Sequence, residues 1–398
     1  MRILLICNKL PYPPRDGGSI ATFSMARSFS ELGHDVTVLA MNTSKHFFNI
    51  QDIPVDIASK MKFIAVNIDT SISPYSALRN LLFSPWPYNA ERFINEDFNI
   101  ALQKLLVEEP FDIIQLEGLY LAPYVPLIRS LSKGLVSMRS HNIEHEIWQR
   151  TVAHSRFPKQ WYLKILAKRI KKMETGFLNS YDVMVPITER DGEVLRTLGC
   201  LLPMHNTPTG IFTGDLDPKR AEIEYPSLFH IGALDWTPNQ EGLHWFLEKV
   251  WPALHHEFPE LKFFVAGRNA PPKISSLNVP GMVFLGEVED AYAFMKSKAV
   301  MVVPLLSGSG MRIKIIEGMA LGKTIVTTSI GTEGISTRHG HDLLVADTPE
   351  NFTGEIRELI RNFDKFEQIG INAVEFVRNI YDNLVIVSSL IDFYKKHL

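Results

Sequence analysis

Short aliphatic and β-branched runs alternate with longer helix-period segments along this chain, and they do so in two rounds. In the first round the runs lie at 2–7, 35–40, 62–66, 112–116, 135–138 and 182–186. The spacing between them predicts helices near 18–32, 91–108, 119–131, 158–179 and 188–198. The pattern restarts at "SLFHIGAL", residues 227–234. Further runs follow near 262–266, 282–285, 299–304, 324–328 and 343–345. Such alternation predicts an α/β fold with parallel sheets. Between the rounds, residues 208–226 are rich in Pro, Gly and charge and lack periodicity, so they read as a linker. The expected organisation is a Rossmann-like domain over 1–207, a second over 227–380, and a final helix over 381–398. Val385, Leu390, Ile391 and Tyr394 give that helix an apolar stripe, which is expected to pack back on the first domain. In open α/β sheets ligands sit beyond the carboxyl ends of the strands, so two such domains facing each other would make a deep cleft.

A chain of 398 residues needs no staples for its core, since a fold this large buries about 75% of its unfolded surface. The net charge of −3 offers no global polycation for nucleic acid. The two cysteines, Cys7 and Cys200, form no metal-ligand spacing and suit a reducing compartment. "MRILLIC" is too short for a signal-peptide core and reads as a first strand, and no run of eighteen apolar residues exists. The expected location is cytoplasmic.

The stretch "GSGMRIKIIEGMALGKTIVTT", residues 308–328, contains two candidate phosphate elements. A P-loop ending at Gly322-Lys323-Thr324 would need its first glycine at 317, which is Glu, and a strand before it rather than a helix. Gly322 reads instead as a helix stop. The other half follows the strand "AVMVVPLL" with Ser307-Gly308-Ser309-Gly310, and a helix is expected from near Met311. Free N–H groups at such a helix start form an anion site. Arg312 and Lys314 oppose the helix dipole there, which implies a nearby anion. Glu317 shares a face with Lys314 and could take ribose hydroxyls; the plain alternative is a surface Lys–Glu pair.

These residues resemble the donor-binding segment of family 4 of the retaining glycosyltransferases, which have the GT-B fold. "NKLPYPPRDGGSIATFSMARSFSELGHDVTVLA", "FDIIQLEGLYLAPY", "MRSHNIEHEIW", "NTPTGIF" and "FHIGALDWTPNQEGLHWFLEKVWP" resemble further family segments in the family's order. The resemblance implies an acceptor-binding domain over 1–207 and a nucleotide-sugar-binding domain over 227–380. Glu317 matches the second carboxylate of the family's Glu-x7-Glu motif, while the first falls on Ser309. The cations that commonly clamp the donor diphosphate are missing at Ala233 and around Pro238-Asn239, and Arg312 and Lys314 look like their replacements. Gly17 and Gly18 match the family's first glycine loop, although a plain tight turn would also use them. Gly267, Gly308, Gly310 and Met311 complete the donor-binding set. His141 matches the acceptor-domain histidine at the transfer centre, with His145 as a second candidate. The implied catalytic set is His141, Arg312 and Lys314.

The implied activity is transfer of a sugar from a nucleotide diphosphate-sugar to a glycan or lipid-linked acceptor with retention, in surface polysaccharide or glycoconjugate synthesis. No metal or other cofactor is expected, and "DLD" at 215–217 reads as turn chemistry rather than a metal site. The alternatives are a sugar-nucleotide epimerase or phosphorylase of the same fold, and a silent nucleotide-sugar-binding partner. Residues 147–173 hold eight Lys/Arg and no Asp/Glu. Tyr162, Leu166, Ile170 and Met173 form a stripe at helical spacing there. A basic amphipathic helix over 158–173 could meet anionic lipid, or its stripe could face its own core.

Overall fold

The computed structural model describes residues 1–398 except His154, Asp217, Lys219 to Glu222, Ser309 and Gly310. It divides into two compact units. Unit 1 comprises Met1–Thr209 with Ile386–Leu398, and unit 2 comprises Gly210–Val385.

Unit 1 is built on β1 (Arg2–Cys7), β2 (Asp35–Thr43), β3 (Lys62–Ile68), β4 (Ile113–Glu117), β5 (Leu135–Ser140) and β6 (Val183–Pro186). They pair in parallel in the order β3-β2-β1-β4-β5-β6. Ile3 stands between Val36 and Ile113, so the most apolar run lies at the sheet centre. A strand covered on both faces must be apolar throughout, which is why Ile3, Leu4, Leu5 and Ile6 are all fully buried. Unit 2 repeats the plan with β7 (Glu224–Ile231), β8 (Lys262–Ala266), β9 (Met282–Gly286), β10 (Lys298–Val303), β11 (Thr324–Thr327) and β12 (Leu344–Val345). Their order is β12-β11-β10-β7-β8-β9, again all parallel. Each unit therefore has a topological switch point at its centre, between β1 and β4 or between β7 and β10. The carboxyl edges there are the natural ligand positions.

All twelve expected strands are present. In unit 1 the helices Pro74–Phe83 and Glu144–Ala153, each longer than two turns, lie outside the expected helical segments, and in unit 2 so do Thr237–Trp245, Pro349–Arg361 and Phe363–Ile380. The terminal helix Asn383–Lys395 lays Val387, Leu390, Ile391 and Tyr394 on the β1 face of the unit 1 sheet, beside Met25 and Phe29, while Val385 is exposed. The stripe of the basic helix Lys159–Phe177 also faces its own unit. Leu166, Ile170 and Met173 are buried and Tyr162 is half-buried, so this stripe is core and is not available to lipid. No helix of the described residues is long and apolar enough to cross a membrane.

Candidate functional site

In unit 2 the chain leaves β10 at the switch point, passes Gly308, and enters the helix Ile313–Ala320. The helix starts two residues later than the sequence suggests, because Arg312 has a non-helical backbone (φ −91°, ψ 84°) and forms the N-cap. Its buried guanidinium packs 5.5 Å from the Trp236 ring. Burial lowers its pKa, and the charge of Glu333 acts the other way. Gly308 has φ +110°, and a Cβ on it would lie 2.9 Å from Arg312 Nη2 and 3.3 Å from the Trp236 ring. Only glycine accepts both that backbone and that closeness.

Lys314 sits in the first turn, and its Nζ donates to Asn239 Oδ1 (2.8 Å) and reaches Ile231 O (3.4 Å) at the end of β7. Both acceptors are neutral. Burial, and secondly the Arg312 charge, lower its pKa to about 7. His230 beneath it is held neutral: burial and the Lys314 charge lower its pKa to about 3, although its Nδ1–H donates to Val302 O (2.9 Å). Glu317, one turn deeper, accepts from Tyr292 Oη at Oε1 (2.9 Å). Burial raises the pKa of Glu317 against the opposing effect of that bond. The site is thus a pair of cations at a helix start, the lysine on neutral oxygens, with a carboxylate behind them. Crowded cations favour an anion between them.

In unit 1, His141 follows β5, and its Nε2 lies 2.7 Å from Glu117 Oε2 at the end of β4. The same oxygen accepts from Thr22 Oγ1 (3.0 Å) and the buried Arg139 Nη1 (3.3 Å), and Gln115 Nε2 donates to Oε1. Burial pushes the Glu117 pKa up. The Arg139 charge, His141 and Gln115 outweigh that and lower it to about 2. The Glu117 carboxylate can only accept at Oε2, so His141 Nε2 carries the proton of that bond and Nδ1 is the ring's remaining polar atom. His141, Glu117, Thr22, Gly18, Tyr120 and Glu144 line one pocket at this switch point. Burial, opposed by the Tyr120 bond (2.8 Å), raises the Glu144 pKa.

The remaining sequence candidates fall as follows. Gly17 and Gly18 lie within the first turn of the helix Gly17–Glu31, not in a loop before it, and Asp16 caps that turn by accepting from Ser19 N (3.0 Å). The helix start therefore already has a negative partner, which Lys9 Nζ neutralises at 2.5 Å. Gly267 abuts Gly232, whose carbonyl oxygen would be 1.9 Å from any Cβ, so strand packing alone demands glycine there. Met311 is half-buried against Gly334. Ser309, Gly310 and Asp217 lie outside the described residues, and Asp215 ends a short turn at Thr213–Asp215. His145 is buried on Glu174, with Nδ1 2.5 Å from Oε2, which removes it from the His141 pocket. Lys323 is buried and its Nζ donates to the carbonyls of Lys296 (3.0 Å) and Lys298 (2.8 Å). Gly322 has φ +71° and ends the helix, with its N–H bonded to Met319 O.

Sequence reasoning missed Glu117, Arg139, Trp236, Asn239 and Tyr292. Glu117 and Arg139 carried a signal: each is a charge at the end of a run that is otherwise buried on both faces. Trp236, Asn239 and Tyr292 carried none, because their partners lie 76, 75 and 25 residues away.

Residues 225–362 match the family model for glycosyl transferases group 1. A curated relative from Klebsiella pneumoniae, described as an uncharacterized 44.6 kDa protein in the cps region, is 24% identical, with 98% of each chain covered. Sucrose-phosphate synthase from Thermosynechococcus elongatus is similar in structure with a TM-score of 0.66 at 12% identity, covering 100% of this chain and 99% of that one. HepE of Anabaena, solved in complex with UDP-glucose, gives a TM-score of 0.63 at 11% identity with full coverage of both chains. The second unit therefore carries a glycosyl transferases group 1 domain, and the chain has the fold of the GT-B glycosyltransferases.

Proposed function

We propose that this transferase moves a sugar from a nucleotide diphosphate-sugar to a glycan or lipid-linked acceptor, with retention at the anomeric carbon, in surface polysaccharide synthesis. The observation that carries the donor reading is Lys314. Its ammonium lies beside Asn239 and the end of β7, the region where the resembling family keeps its diphosphate-clamping cations. Arg312 and Lys314 would hold the diphosphate. Glu317, fixed by Tyr292 at Oε1, would use Oε2 for the ribose hydroxyls. A solved relative in complex with UDP-glucose and another described from a cps region agree with the donor and pathway classes.

In the transfer step the bond from the anomeric carbon to the leaving phosphate oxygen breaks. The acceptor hydroxyl oxygen bonds to that carbon on the same face, and its proton passes to the leaving phosphate. Charge builds on the diphosphate as the bond opens, so Arg312 and Lys314 act most strongly in the transition state. His141, oriented by Glu117, would hold a sugar hydroxyl through Nδ1. No metal or other cofactor is assigned a step.

The test is nucleoside diphosphate release from a panel of nucleotide sugars. The expected result is slow hydrolysis of one donor without acceptor and a product of retained configuration by NMR. Binding of no nucleotide sugar would contradict the reading. Inversion of free donor at a sugar carbon would make the chain an epimerase, and tight binding without any turnover a silent partner.

A further inference from the structure

The helix Pro74–Phe83 is amphipathic the wrong way round for a soluble surface. Its inner side carries Ala77 and Asn80. Asn80 is buried, and its Nδ2 donates to Trp86 O (3.0 Å) and Glu91 Oε2 (2.7 Å). Its outer side carries Tyr75 (77% exposed), Leu78, Leu82 and Phe83 (82% exposed), with Ile72 exposed just before it. Positions 75, 78 and 82 share one helical face, so this is a continuous apolar stripe turned to solvent.

Beside it runs the basic helix Lys159–Phe177. Arg169 donates to Asn80 O (3.2 Å) and Leu81 O (2.8 Å), and Ala77 packs against the cluster of Leu163, Leu166 and Ile170. These contacts hold the two helices side by side. With its apolar stripe turned into the unit, the basic helix presents Trp161, Lys164, Lys168, Lys171 and Lys172 outward. Residues 147–173 hold eight Lys/Arg and residues 70–86 add Arg79, while neither segment has an Asp or Glu. A chain of net charge −3 thus gathers nine cations and no carboxylate in the two segments that expose its densest apolar surface.

We propose that this face of unit 1 docks on an anionic phospholipid bilayer. The outer residues of 74–83, with Phe157 and Trp161, enter the headgroup boundary, and the lysines of 159–177 meet the lipid phosphates. Apolar and aromatic side chains beside a lysine stripe are the chemistry an anionic interface takes. A protein partner would need a carboxylate surface with a complementary apolar groove, and a second copy of this chain would set the exposed Lys164, Lys168, Lys171 and Lys172 against their own like charges. The contact is peripheral, since no described helix can span a bilayer. The proposal does not depend on the transfer reading, and its test uses no nucleotide.

The test is co-sedimentation of the full chain with vesicles of equal parts phosphatidylglycerol and phosphatidylcholine, against phosphatidylcholine alone. The expected result is binding to the anionic vesicles only, weakened as salt is raised above about 0.15 M. The triple variant Leu78→Gln, Leu82→Gln, Phe83→Gln and the quadruple variant Lys164→Gln, Lys168→Gln, Lys171→Gln, Lys172→Gln should each cut partitioning at least about tenfold. All altered side chains are exposed, so circular dichroism should show both variants folded. Wild-type protein left in the supernatant with anionic vesicles would overturn the proposal. So would a triple variant that binds like wild type, or a concentration-dependent dimer, in sedimentation velocity without lipid, that the triple variant abolishes.

Discussion

Glu317 offers the sharpest single-residue test of donor binding. Two ribose hydroxyls on a carboxylate are hydrogen bonds to a charged group, worth about 1.5–3 kcal/mol each. Glu317→Ala should therefore weaken nucleoside diphosphate binding at least about tenfold by calorimetry, with the thermal transition retained. Lys314 adds a pH dependence. Its pKa is lowered to about 7 in the free protein, and a bound diphosphate would raise it again. Above pH 7 binding must then take up a proton, so affinity should fall between pH 7 and 9. The ligand is fully ionised in that range, its last phosphate pKa being about 6. Lys314→Met should bind weakly and lose this pH dependence. The same shift makes a stability claim. The unfolded chain, with lysine at its ordinary 10.5, binds more protons than the native state between about pH 7 and 10.5, so stability from this group rises with pH across that window. Lys314→Met should accordingly raise the melting temperature of the free protein more at pH 6 than at pH 9. An equal effect at both pH values would show that the ammonium is not held under strain. The cation pair was legible in the sequence because a glycine turn before a helix is a local pattern. The Glu117–His141 pair was not, because its two members are brought together only by the pairing of β4 with β5.

At the scale of elements, the strands were legible for one physical reason. Central parallel strands covered on both faces, such as β1 and β10, must be apolar along nearly their whole length, and the edge strands β3 and β9 keep enough aliphatic and aromatic residues to stand out against helical spacing. The two longer helices of unit 1 that the spacing did not give lack a clear signature for opposite reasons. Pro74–Phe83 turns its apolar residues outward, so it offers no stripe facing a core. Glu144–Ala153 is polar, and its first N–H groups are held from another helix: Glu174 accepts from Glu144 N at 2.9 Å and bonds His145 Nδ1. Both buried partners are needed to satisfy the carboxylate. Glu174→Ala should therefore lower the stability of the protein by about 1–3 kcal/mol, the cost of leaving buried donors without their acceptor. Denaturant melts that coincide for variant and wild type would remove Glu174 from that role.

At the scale of the whole molecule, the chain's last helix returns to the sheet of unit 1 and joins its polar interior. Tyr394 Oη donates to Gln115 Oε1 (2.7 Å), and the Ser137 hydroxyl lies 2.8 Å from it. Gln115 in turn donates to Glu117, which orients His141. The expected stripe on this helix pointed to a covering role. The hydrogen-bond chain could not be read, since it joins residues 279 apart. The false P-loop belongs to this scale too. Lys323 ties two carbonyls around the start of β10 and so supports the unit 2 sheet, while Arg312 and Lys314 on the preceding helix face the proposed diphosphate. The most direct measurement is therefore the kcat for nucleoside diphosphate release in three variants, with the donor that the panel selects and at a temperature where all three are folded. Arg312→Ala and Lys314→Ala should each lower kcat by about 10²–10³, as removal of a transition-state donor commonly does. Lys323→Ala should melt earlier but keep kcat within about threefold of wild type. Rates for the Arg312 and Lys314 variants no lower than that of the Lys323 variant would contradict the assignment of the donor phosphate site.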